Sequence, residues 1–463
     1  MARRFDMERA LIAFDLGTTH LKWVVTDLSG QIILAQNQMP SGVRTDGCHS
    51  EQNPLWVYDR IVEVLKDARV RWNIQRLSFS CAMHTLLVVD SEGNPLTQSL
   101  TWMDSCAFPA AEHLRKQDVA GDLKRQTGVP LHAMSPLVKW IHLRSTLPKS
   151  ARPVSLKDYL VFRLTNQWQT DYSTAAASGF LGLNGDWCPL ALHYADVSAR
   201  DLPELHPVTF AIPDTTGQFE VVLGGNDAAT AHVHLGIAPD GGVGVLAMGT
   251  SGALRTTSAY TVDSPELFCY TMGPTRGYLV GSAFSNIGNY LSWVANLFSL
   301  SVDEVLHRGI DTVRRGEPLP VAIPYLYGER SPWWREDLQA EWRGLTPLHG
   351  RDHMLGSALL SIAAMYLRGL QTLEHQGVPL EDLRIGSGLL DRPFLAQFLS
   401  DSLSRPLSLV DAQDASLMGA IDLARSEKSP TTPVIQRYYH PSHSSLYERT
   451  LERVSILAAY QKS

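Results

Sequence analysis

Residues 11–25 read LIAFDLGTTHLKWVV, which is an apolar strand, a Gly-Thr turn and a second strand. Residues 242–254, GVGVLAMGTSGAL, repeat this pattern far downstream. Glycine permits backbone angles that other residues avoid, so N–H groups in such turns can converge on an anion, and Thr and Ser hydroxyls add donors. Two such hairpins predict that one polyphosphate is held from two sides, in a nucleotide cleft between two similar domains.

Two aspartates stand where phosphate chemistry needs carboxylates. Asp15 lies in the first hairpin, where a Mg²⁺ ion that accompanies a polyphosphate needs an oxygen ligand or a partner for its water shell. Asp227 follows the apolar run 221–226, VVLGGN, and a carboxylate that leaves a strand into a cleft can accept a proton from a bound hydroxyl. Asp227 is therefore the candidate base for phosphoryl transfer, with a turn-capping aspartate as the alternative.

Length and composition set the broad class. A chain of 463 residues predicts two large domains, and the Gly- and Pro-containing run 236–242 predicts a boundary between domains 1–238 and 239–463. A hydrophobic content of 44% and 19% charged residues are typical of globular proteins. The net charge of −7, without a long Lys/Arg run, argues against nucleic-acid and membrane partners.

The cysteine pattern and the length of the apolar runs indicate in which cell compartment the protein is expected. Five cysteines without a Cys-x-x-Cys pair, and a start that lacks a signal-peptide pattern, predict a reduced, soluble, cytoplasmic protein. The longest apolar runs have strand length and fall short of the roughly 18 residues that span a bilayer.

Periodicity gives a coarse element map. Apolar spacing predicts helices over 56–70, 110–126, 136–144, 354–375 and 414–424, and strands over 77–82 and 86–90. Small residues along 414–424 predict tight packing against a neighbouring helix. There is no Gly-x-x-x-x-Gly-Lys-Ser/Thr loop, no His-Glu-x-x-His and no Gly-x-Ser-x-Gly elbow, so phosphate-binding hairpins remain the leading interpretation.

Polar residues in apolar or aromatic surroundings are candidates for a carbohydrate site. His84, Trp102 with Asp104, and Asp171 have this character, and a sugar needs a flat ring against its face and groups that bond its hydroxyls. For each residue alone, a core histidine or a loop cap is the alternative. His232 and His234 could form a metal pair, but spacing suggests no third ligand, so packing is favoured.

Several motifs occur in order over nearly the whole chain. They are Asp15-x-Gly17-Thr18-Thr19-x-x-Lys22, the strand that ends at Asp227, and residues 248–252 (MGTSG), 324–332 (PYLYGERSP) and 414–420 (DASLMGA). Together they resemble the FGGY carbohydrate kinases. The resemblance implies an α/β fold of two ribonuclease-H-like domains of the actin and hexokinase ATPase type, with an interdomain cleft. It also implies transfer of the γ-phosphate of Mg-ATP to a sugar hydroxyl, the terminal one being favoured.

The resemblance also implies roles for residues of this sequence. Asp227 matches the catalytic base, and Asp15 and Asp227 match metal-binding positions. The implied nucleotide contacts are Gly17, Thr18, Thr19, Lys22, Gly249, Thr250, Ser251, Asn286, Ser387 and Gly388. The implied substrate contacts are Met83, His84, Trp102, Asp104, Asp171 and Asn226.

Stretches such as 80–85 (SCAMHT) and 131–137 (LHAMSPL) are most similar to those of gluconate kinases, and xylulokinases match 132–137 less well. Gluconate or a related aldonate is the implied substrate. The protein is expected to be a monomer or a homodimer. A xylulokinase-like ketose kinase and a non-catalytic, actin-like nucleotide sensor are the alternatives. Three positions depart from the family pattern: Cys106 stands where an Arg is usual, His20 where a small polar residue is usual, and Ser387 in the adenosine segment.

Overall fold

The structure is a computed structural model, and it describes residues 7–238, 241–385, 392–410, 414–425 and 434–460. The chain forms two compact units. The first contains Met1–Gly236, Cys269–Tyr278 and Asp414–Thr432, and the second contains Ile237–Phe268, Leu279–Gln413 and Pro433–Ser463. The domain boundary between residues 238 and 239 stays a proposal, and two later segments of the chain cluster with the first unit.

The strands, in chain order, are β1 Arg9–Leu16, β2 His20–Asp27, β3 Ile33–Pro40, β4 Arg44–Asp46, β5 His49–Gln52, β6 Asn73–Cys81, β7 Leu87–Val89, β8 Ser99–Leu100, β9 Arg152–Val154, β10 Gln169–Asp171, β11 Glu204–His206, β12 Ala211–Pro213, β13 Glu220–Asn226, β14 Gly242–Met248, β15 Gly252–Ser258, β16 Phe268–Thr271, β17 Tyr278–Phe284, β18 Val321–Ile323, β19 Glu341–Arg343, β20 Leu380–Ile385, β21 Leu407–Val410 and β22 Ile435–Tyr439. The helices are α1 Pro54–Arg71, α2 Phe108–Arg115, α3 Ala120–Thr127, α4 Pro136–Leu143, α5 Leu156–Thr165, α6 Tyr172–Ser178, α7 Pro189–Ala195, α8 Asp227–His234, α9 Gly288–Leu297, α10 Val302–Arg314, α11 Arg351–His375, α12 Pro393–Leu403, α13 Ala415–Ala424 and α14 Ser444–Ala459.

The first unit is built on a sheet with the strand order β12-β13-β6-β1-β2-β3. Strands β1, β2 and β3 form an antiparallel meander, and β6 and β13 join it in parallel to β1. The predicted first hairpin is confirmed: Leu16 pairs with Leu21 across the Gly-Thr turn. The carboxyl ends of three parallel strands therefore lie at one edge of the sheet.

The sheet of the second unit repeats this plan. Six of its strands run in the order β17-β15-β14-β20-β21-β22, and the second predicted hairpin is confirmed by the pairing of Met248 with Gly252. Strands β20 and β21 add in parallel to β14, as β6 and β13 do to β1, and β22 closes the edge antiparallel, as β12 does. The weak repeat between the two hairpins in the sequence is thus a repeat of whole sheet topology.

Helices cover both faces of the first sheet. On one face, Val57 and Ile61 of α1 and Tyr159 and Leu160 of α5 belong to the same buried cluster as the strands. On the other face, apolar residues of α13 pack against Leu11, Ala13 and Val24 of the hairpin strands. Helix α13 lies far downstream in the chain, yet it completes the core of the first unit.

The predicted helices are mostly confirmed. Asn53 accepts from the N–H groups of Leu55 and Trp56 and starts α1 directly before Pro54, so the helix predicted over 56–70 spans 54–71. The single helix predicted over 110–126 is wrong, because the structure has α2 and α3 there. The N–H of Lys116 bonds to His113 O and that of Ala120 to Gln117 O, so the backbone turns tightly between them, and Leu114 and Leu123 both reach one core.

In the part of the chain that the structure describes, no helix has the length and apolar character needed to cross a membrane.

Candidate active site

The carboxyl ends of β1, β6 and β13 bring Asp15 and Asp227 to the same sheet edge. Asp15 is in register with Ser80 of β6, and Ser80 is in register with Gly225 of β13. Asp227 opens α8 directly after β13. In open α/β sheets, ligands bind outside the carboxyl ends of parallel strands. The two predicted carboxylates therefore stand where a ligand site is expected.

A bulge in β13 sets the position of Asp227. The pairing of β13 with β6 shifts between Val222 and Gly225, and Gly224 has a φ of +65°. A Cβ on Gly224 would lie 1.8 Å from Phe79 O, so only glycine fits at this position. Asn226 then caps α8: its Oδ1 accepts from Ala229 N at 2.8 Å. Asp227 is half-buried on the first helical turn, where the helix dipole favours a negative charge.

Asp15 is buried and shares its surroundings with hydroxyl groups. Ser416 Oγ of α13 donates to Asp15 Oδ2 at 3.0 Å, and Ser80 also bonds the carboxylate. Burial raises the pKa of Asp15 to about 6, and the charge of Asp227 adds to this rise, whereas Ser80, Ser416 and Lys22 act to lower it. Two carboxylates that disfavour each other's charge form an oxygen donor set that suits a hard divalent cation.

The first hairpin is tied to the start of α13. Lys22 Nζ forms an ion pair with Asp414, and Gln36 Nε2 donates to Asp414 Oδ2 at 2.7 Å. Asp414 occupies the N-cap position of this helix, but its side chain makes no capping bond. Lys22, an expected phosphate ligand, is thus engaged with a carboxylate, and its contact with a nucleotide stays a prediction.

The tip of the same hairpin is held through its carbonyl groups. Ser41 Oγ donates to Thr18 O at 2.6 Å, and Ser41 N donates to Thr19 O at 3.0 Å. A Cβ on Gly17 would lie 2.8 Å from His20 O, so glycine is needed for this turn. The hairpin therefore presents a fixed tip to solvent beside Asp15.

Three expected substrate contacts line one pocket of the first unit. Met83, His84 and Asn226 all border it, together with residues of α6. His84 has a φ of +62°, and its Nδ1 lies 2.8 Å from Ala177 O. Its ring meets Tyr270 edge-on, with the centroids 5.8 Å apart. Bonded on one nitrogen and flanked by a phenol, His84 has a fixed orientation.

A buried lysine joins the His84 and Trp102 segments, and sequence reasoning missed it. Lys139 Nζ donates to His84 O at 3.3 Å and also to Thr101 O. Burial lowers the pKa of Lys139 to about 7, and the charge of Asp104 opposes this shift. A single charge among the buried residues of α4 was the available indication. Lys139 fixes the backbone on both sides of the expected substrate contacts.

Asp104 and Trp102 differ in exposure. Trp102 is half-buried, whereas Asp104 is buried, with one oxygen accepting from Ser50 N at 3.0 Å and the other from Cys106 N at 3.3 Å. The carboxylate of Asp104 therefore organises the surrounding backbone, and its direct contact with a substrate stays a prediction.

Asp171 and Asn226 are also committed to internal bonds. Asp171 is fully buried, caps α6 through Ser173 N at 2.8 Å, and lies 3.0 Å from Lys157 Nζ. Ser173 Oγ in turn accepts from Asn226 N at 3.1 Å, and Asn226 Nδ2 donates to Ser173 O at 2.7 Å. These contacts fix the residue that precedes Asp227, and the contacts of Asp171 and Asn226 with a substrate stay predictions.

In the second unit, the tip of the second hairpin meets the start of α9. Gly249 O accepts from Gly288 N, and Thr250 O accepts from Asn289 N, each at 3.0 Å. Gly249 and Thr250 are exposed, and Ser251 is half-buried. The tip is thus rigidly attached while its outer surface faces solvent, as a phosphate-binding turn requires.

Asn286 precedes α9 and is buried. It belongs to a hydrogen-bond network with Glu329 and Tyr327 that fixes a loop, here called the loop lock. Its Nδ2 donates to Glu329 Oε2 at 2.9 Å, and its Oδ1 accepts from Tyr327 N at 3.1 Å. Glu329 Oε1 accepts from Ser285 N at 2.6 Å, and burial raises the pKa of Glu329 to about 7. The Asn286 amide therefore holds this loop in place, and its contact with a nucleotide stays a prediction. The expected adenosine contacts Ser387 and Gly388 lie outside the described residues.

The cysteines and the histidine pair complete the comparison. The expectation of five reduced cysteines is wrong for Cys48 and Cys106, which form a disulfide. Pairing of β5 with β8 brings these two loops together, which spacing alone could not reveal. His232 Nδ1 lies 2.8 Å from Ala228 O of its own helix, and His234 Nδ1 lies 2.8 Å from Asp422 Oδ2, so packing accounts for both.

Two sheets that repeat one topology, each with a Gly-Thr hairpin, and paired carboxylates at a strand edge are typical of ATP-binding proteins of the actin and hexokinase fold. Models of the FGGY family of carbohydrate kinases match the chain over residues 10–229 (N-terminal domain) and 244–426 (C-terminal domain). The chain belongs to this family and is an ATP-dependent sugar kinase.

Relatives and solved structures agree with this assignment. A gluconokinase of Bacillus subtilis (strain 168) is 27% identical, over 89% of this chain and 86% of its own length. A xylulose kinase of Escherichia coli (strain K12) is 25% identical, over 92% and 91%. The structure of a gluconate kinase from Lactobacillus acidophilus superimposes with a TM-score of 0.88 at 24% identity, covering 98% of this chain and 99% of that one. The predicted α/β fold class is confirmed.

Proposed function

We propose that the protein transfers the γ-phosphate of ATP to a hydroxyl of gluconate or a closely related aldonate, with Asp227 as the base. The observation that carries the mechanism is the position of Asp227. This residue follows the β13 bulge and interacts electrostatically with buried Asp15. The choice of gluconate is supported by the likeness to the Bacillus subtilis gluconokinase over nearly the whole chain.

In this proposal, the carboxylate of Asp227 accepts the proton of the substrate hydroxyl as its oxygen attacks the γ-phosphorus in line with the leaving oxygen. The terminal hydroxyl is the favoured acceptor. Met83 and His84 bind the substrate, and Trp102 offers a flat face to it. The hairpin tips, Gly17 to Thr19 and Gly249 to Ser251, bind phosphate oxygens.

Magnesium fits the donor set at the β1 edge. Asp15 and Asp227 offer carboxylate oxygens, the ligand type that Mg²⁺ prefers. Burial, and to a smaller extent the charge of Asp227, raise the pKa of Asp15, and a cation there would offset both effects. When bound, the ion supplies positive charge to the phosphate oxygens of the nucleotide. Ser416 and Ser80 orient the Asp15 carboxylate towards that task.

Two further expectations belong to the proposal. We propose that the protein works in the cytoplasm as a monomer or homodimer. A ketose such as D-xylulose is the second candidate substrate, supported by the likeness to the Escherichia coli xylulose kinase.

A coupled ADP-release assay with Mg-ATP tests the proposal. The panel contains gluconate, other aldonates, D-xylulose, L-xylulose, ribulose and glycerol. We expect the highest turnover on gluconate, and at least a hundredfold loss in Asp227→Asn, since positioned bases contribute about 10²–10⁴-fold. Asp118→Asn, on the exposed link after α2, is the matched control and should keep full activity. Turnover only on a ketose would favour the second candidate, and ATP binding without turnover would favour a nucleotide sensor.

A further inference from the structure

The disulfide region holds a third group that can bind a metal. Pairing of β5 with β8 brings the Cys48 loop beside Cys106, with the Cα atoms 5.0 Å apart, and Ser105 N donates to Cys48 O at 2.9 Å. His49 is exposed, and its Nδ1 lies 3.2 Å from Cys106 Sγ. The imidazole is therefore adjacent to both sulfur atoms.

The three side chains lie close enough together to surround one ion once the disulfide is reduced. The donor atoms of Cys48, His49 and Cys106 all lie within 4.8 Å of one another. A tetrahedral Zn²⁺ with its usual bond lengths would separate a sulfur and a nitrogen ligand by roughly 3.6 Å. The distance of 3.2 Å between His49 Nδ1 and Cys106 Sγ is close to this value. The two sulfur atoms would have to move apart after reduction, which side-chain rotation about the Cα–Cβ bonds of the cysteines permits.

A buried scaffold holds the two ligand loops independently of the sulfur–sulfur bond. One oxygen of Asp104 accepts from Ser50 N, next to His49, and the other accepts from Cys106 N. Asp104 is 2% exposed, so these bonds are shielded from water. Neither bond involves a sulfur atom, so we expect both to persist after reduction and to keep the three ligands near one another.

We propose that Cys48, His49 and Cys106 form a binding site for one thiophilic divalent cation, such as Zn²⁺, in the reduced protein. A thiol reductant first donates two electrons to the disulfide and is itself oxidised, which yields two thiols. The thiols then release two protons as their sulfurs bind the ion. The fourth ligand position is left to water, beside a cavity of about 290 Å³ that His49 and Cys106 line together with Glu51 and His142.

Cobalt binding tests the site without reference to kinase activity. The untagged full-length protein is reduced with a phosphine, desalted without oxygen and titrated with Co²⁺. We expect one equivalent to give thiolate-to-cobalt charge-transfer absorption that Zn²⁺ displaces. Cys48→Ser and Cys106→Ser should lose this absorption, and His49→Ala should weaken binding on the order of tenfold or more. His193→Ala, another exposed histidine, is the control and should bind as the wild type does.

Three results would overturn the proposal. They are the lack of thiolate absorption in the reduced wild type, equal absorption in a Cys48→Ser/Cys106→Ser double variant, and equal absorption in the protein that was never reduced. His49→Ala keeps both cysteines, so unchanged cobalt affinity in this variant would also count against the site, whatever the folding of the serine variants.

Discussion

Asp15 shows how a single residue couples the fold to the proposed chemistry. It lies one residue before the end of buried strand β1, so burial raises the pKa of its carboxyl to about 6, and Asp227 adds to the rise. Ser416, which donates to it, comes from a helix that lies far downstream in the chain. The protonation state of Asp15 therefore changes within an accessible pH range, with consequences for both ion binding and stability.

The requirement for Mg²⁺ should depend on pH. As the pH falls through about 6, Asp15 gains a proton and loses its value as a ligand. We expect the Mg²⁺ concentration for half-maximal activity to rise several-fold between about pH 7.5 and about pH 5.5, as measured by ADP release at saturating ATP and sugar. An equal Mg²⁺ requirement at both values would argue against Asp15 as a ligand.

The protonation of Asp15 should also affect stability. A lower pH weakens the binding of Mg²⁺ but should favour the folded protein. Because the pKa of Asp15 is higher in the folded protein than in the unfolded chain, its favourable contribution is present below about pH 4 and is lost as the pH rises through about 6. Asp15→Asn removes this ionisation. We expect its melting temperature, relative to that of the wild type, to be higher at about pH 8 than at about pH 4. A pH-independent difference would contradict this.

At the scale of elements, the contact between α8 and α13 fixes the base. A Cβ on Gly419 of α13 would lie 1.9 Å from Thr230 O of α8, so the backbones of the two helices pack directly against each other at this point. The tight helix packing that the small residues of 414–424 predicted is thereby confirmed. Helix α8 starts with Asp227, and α13 carries Ser416, so this packing links both carboxylates of the site.

Gly419→Ala should separate these helices. We expect a loss of about 1–3 kcal/mol of stability from overpacking, together with reduced turnover because Asp227 moves with α8. Gly121→Ala in α3 is the matched control: its Cβ would meet only the end of the Arg125 side chain, at 3.4 Å, so its stability should be equal or higher. Urea unfolding and ADP release measure both. Equal behaviour of the two variants would refute the packing argument.

The loop lock of the second unit has its own test. Glu329 Oε1 accepts two backbone N–H groups, from Ser285 and Arg330, while Oε2 accepts from Asn286. Glu329→Gln turns one acceptor into a donor that faces the Asn286 amide. We expect a loss of about 1–3 kcal/mol in urea unfolding, whereas Glu336→Gln serves as the comparison near the same loop. A fully stable Glu329→Gln would show that this network is dispensable.

For the molecule as a whole, the sequence predicted those features that depend on neighbouring residues in the chain. Both hairpins are confirmed because strand, turn and strand are contiguous, and Asp15 and Asp227 could be found because each ends an apolar run. The ion pair between Lys22 and Asp414 could not be predicted, since it joins distant segments that come together only in the folded unit. The bond between Cys48 and Cys106 escaped prediction for the same reason.

For buried capping groups, the expected ligand contacts stay predictions. Asp171, Asn226 and Asn286 have residue types that suit a sugar or a nucleotide, and periodicity does not tell a ligand contact from a helix cap. The structure uses the first two as caps and the third in a loop lock. Only the partners of each polar atom separate these roles, and those partners depend on tertiary structure.

The most direct measurement is identification of the product formed from gluconate and Mg-ATP. The enzyme is incubated with both, and the mixture is analysed by mass spectrometry and ³¹P NMR. The account predicts a phosphorylated gluconate in equal amount to ADP, with the phosphate on the terminal hydroxyl, and almost none with Asp227→Asn. Formation of ADP and free phosphate without a phosphorylated sugar acid, or an equal yield from Asp227→Asn, would contradict it.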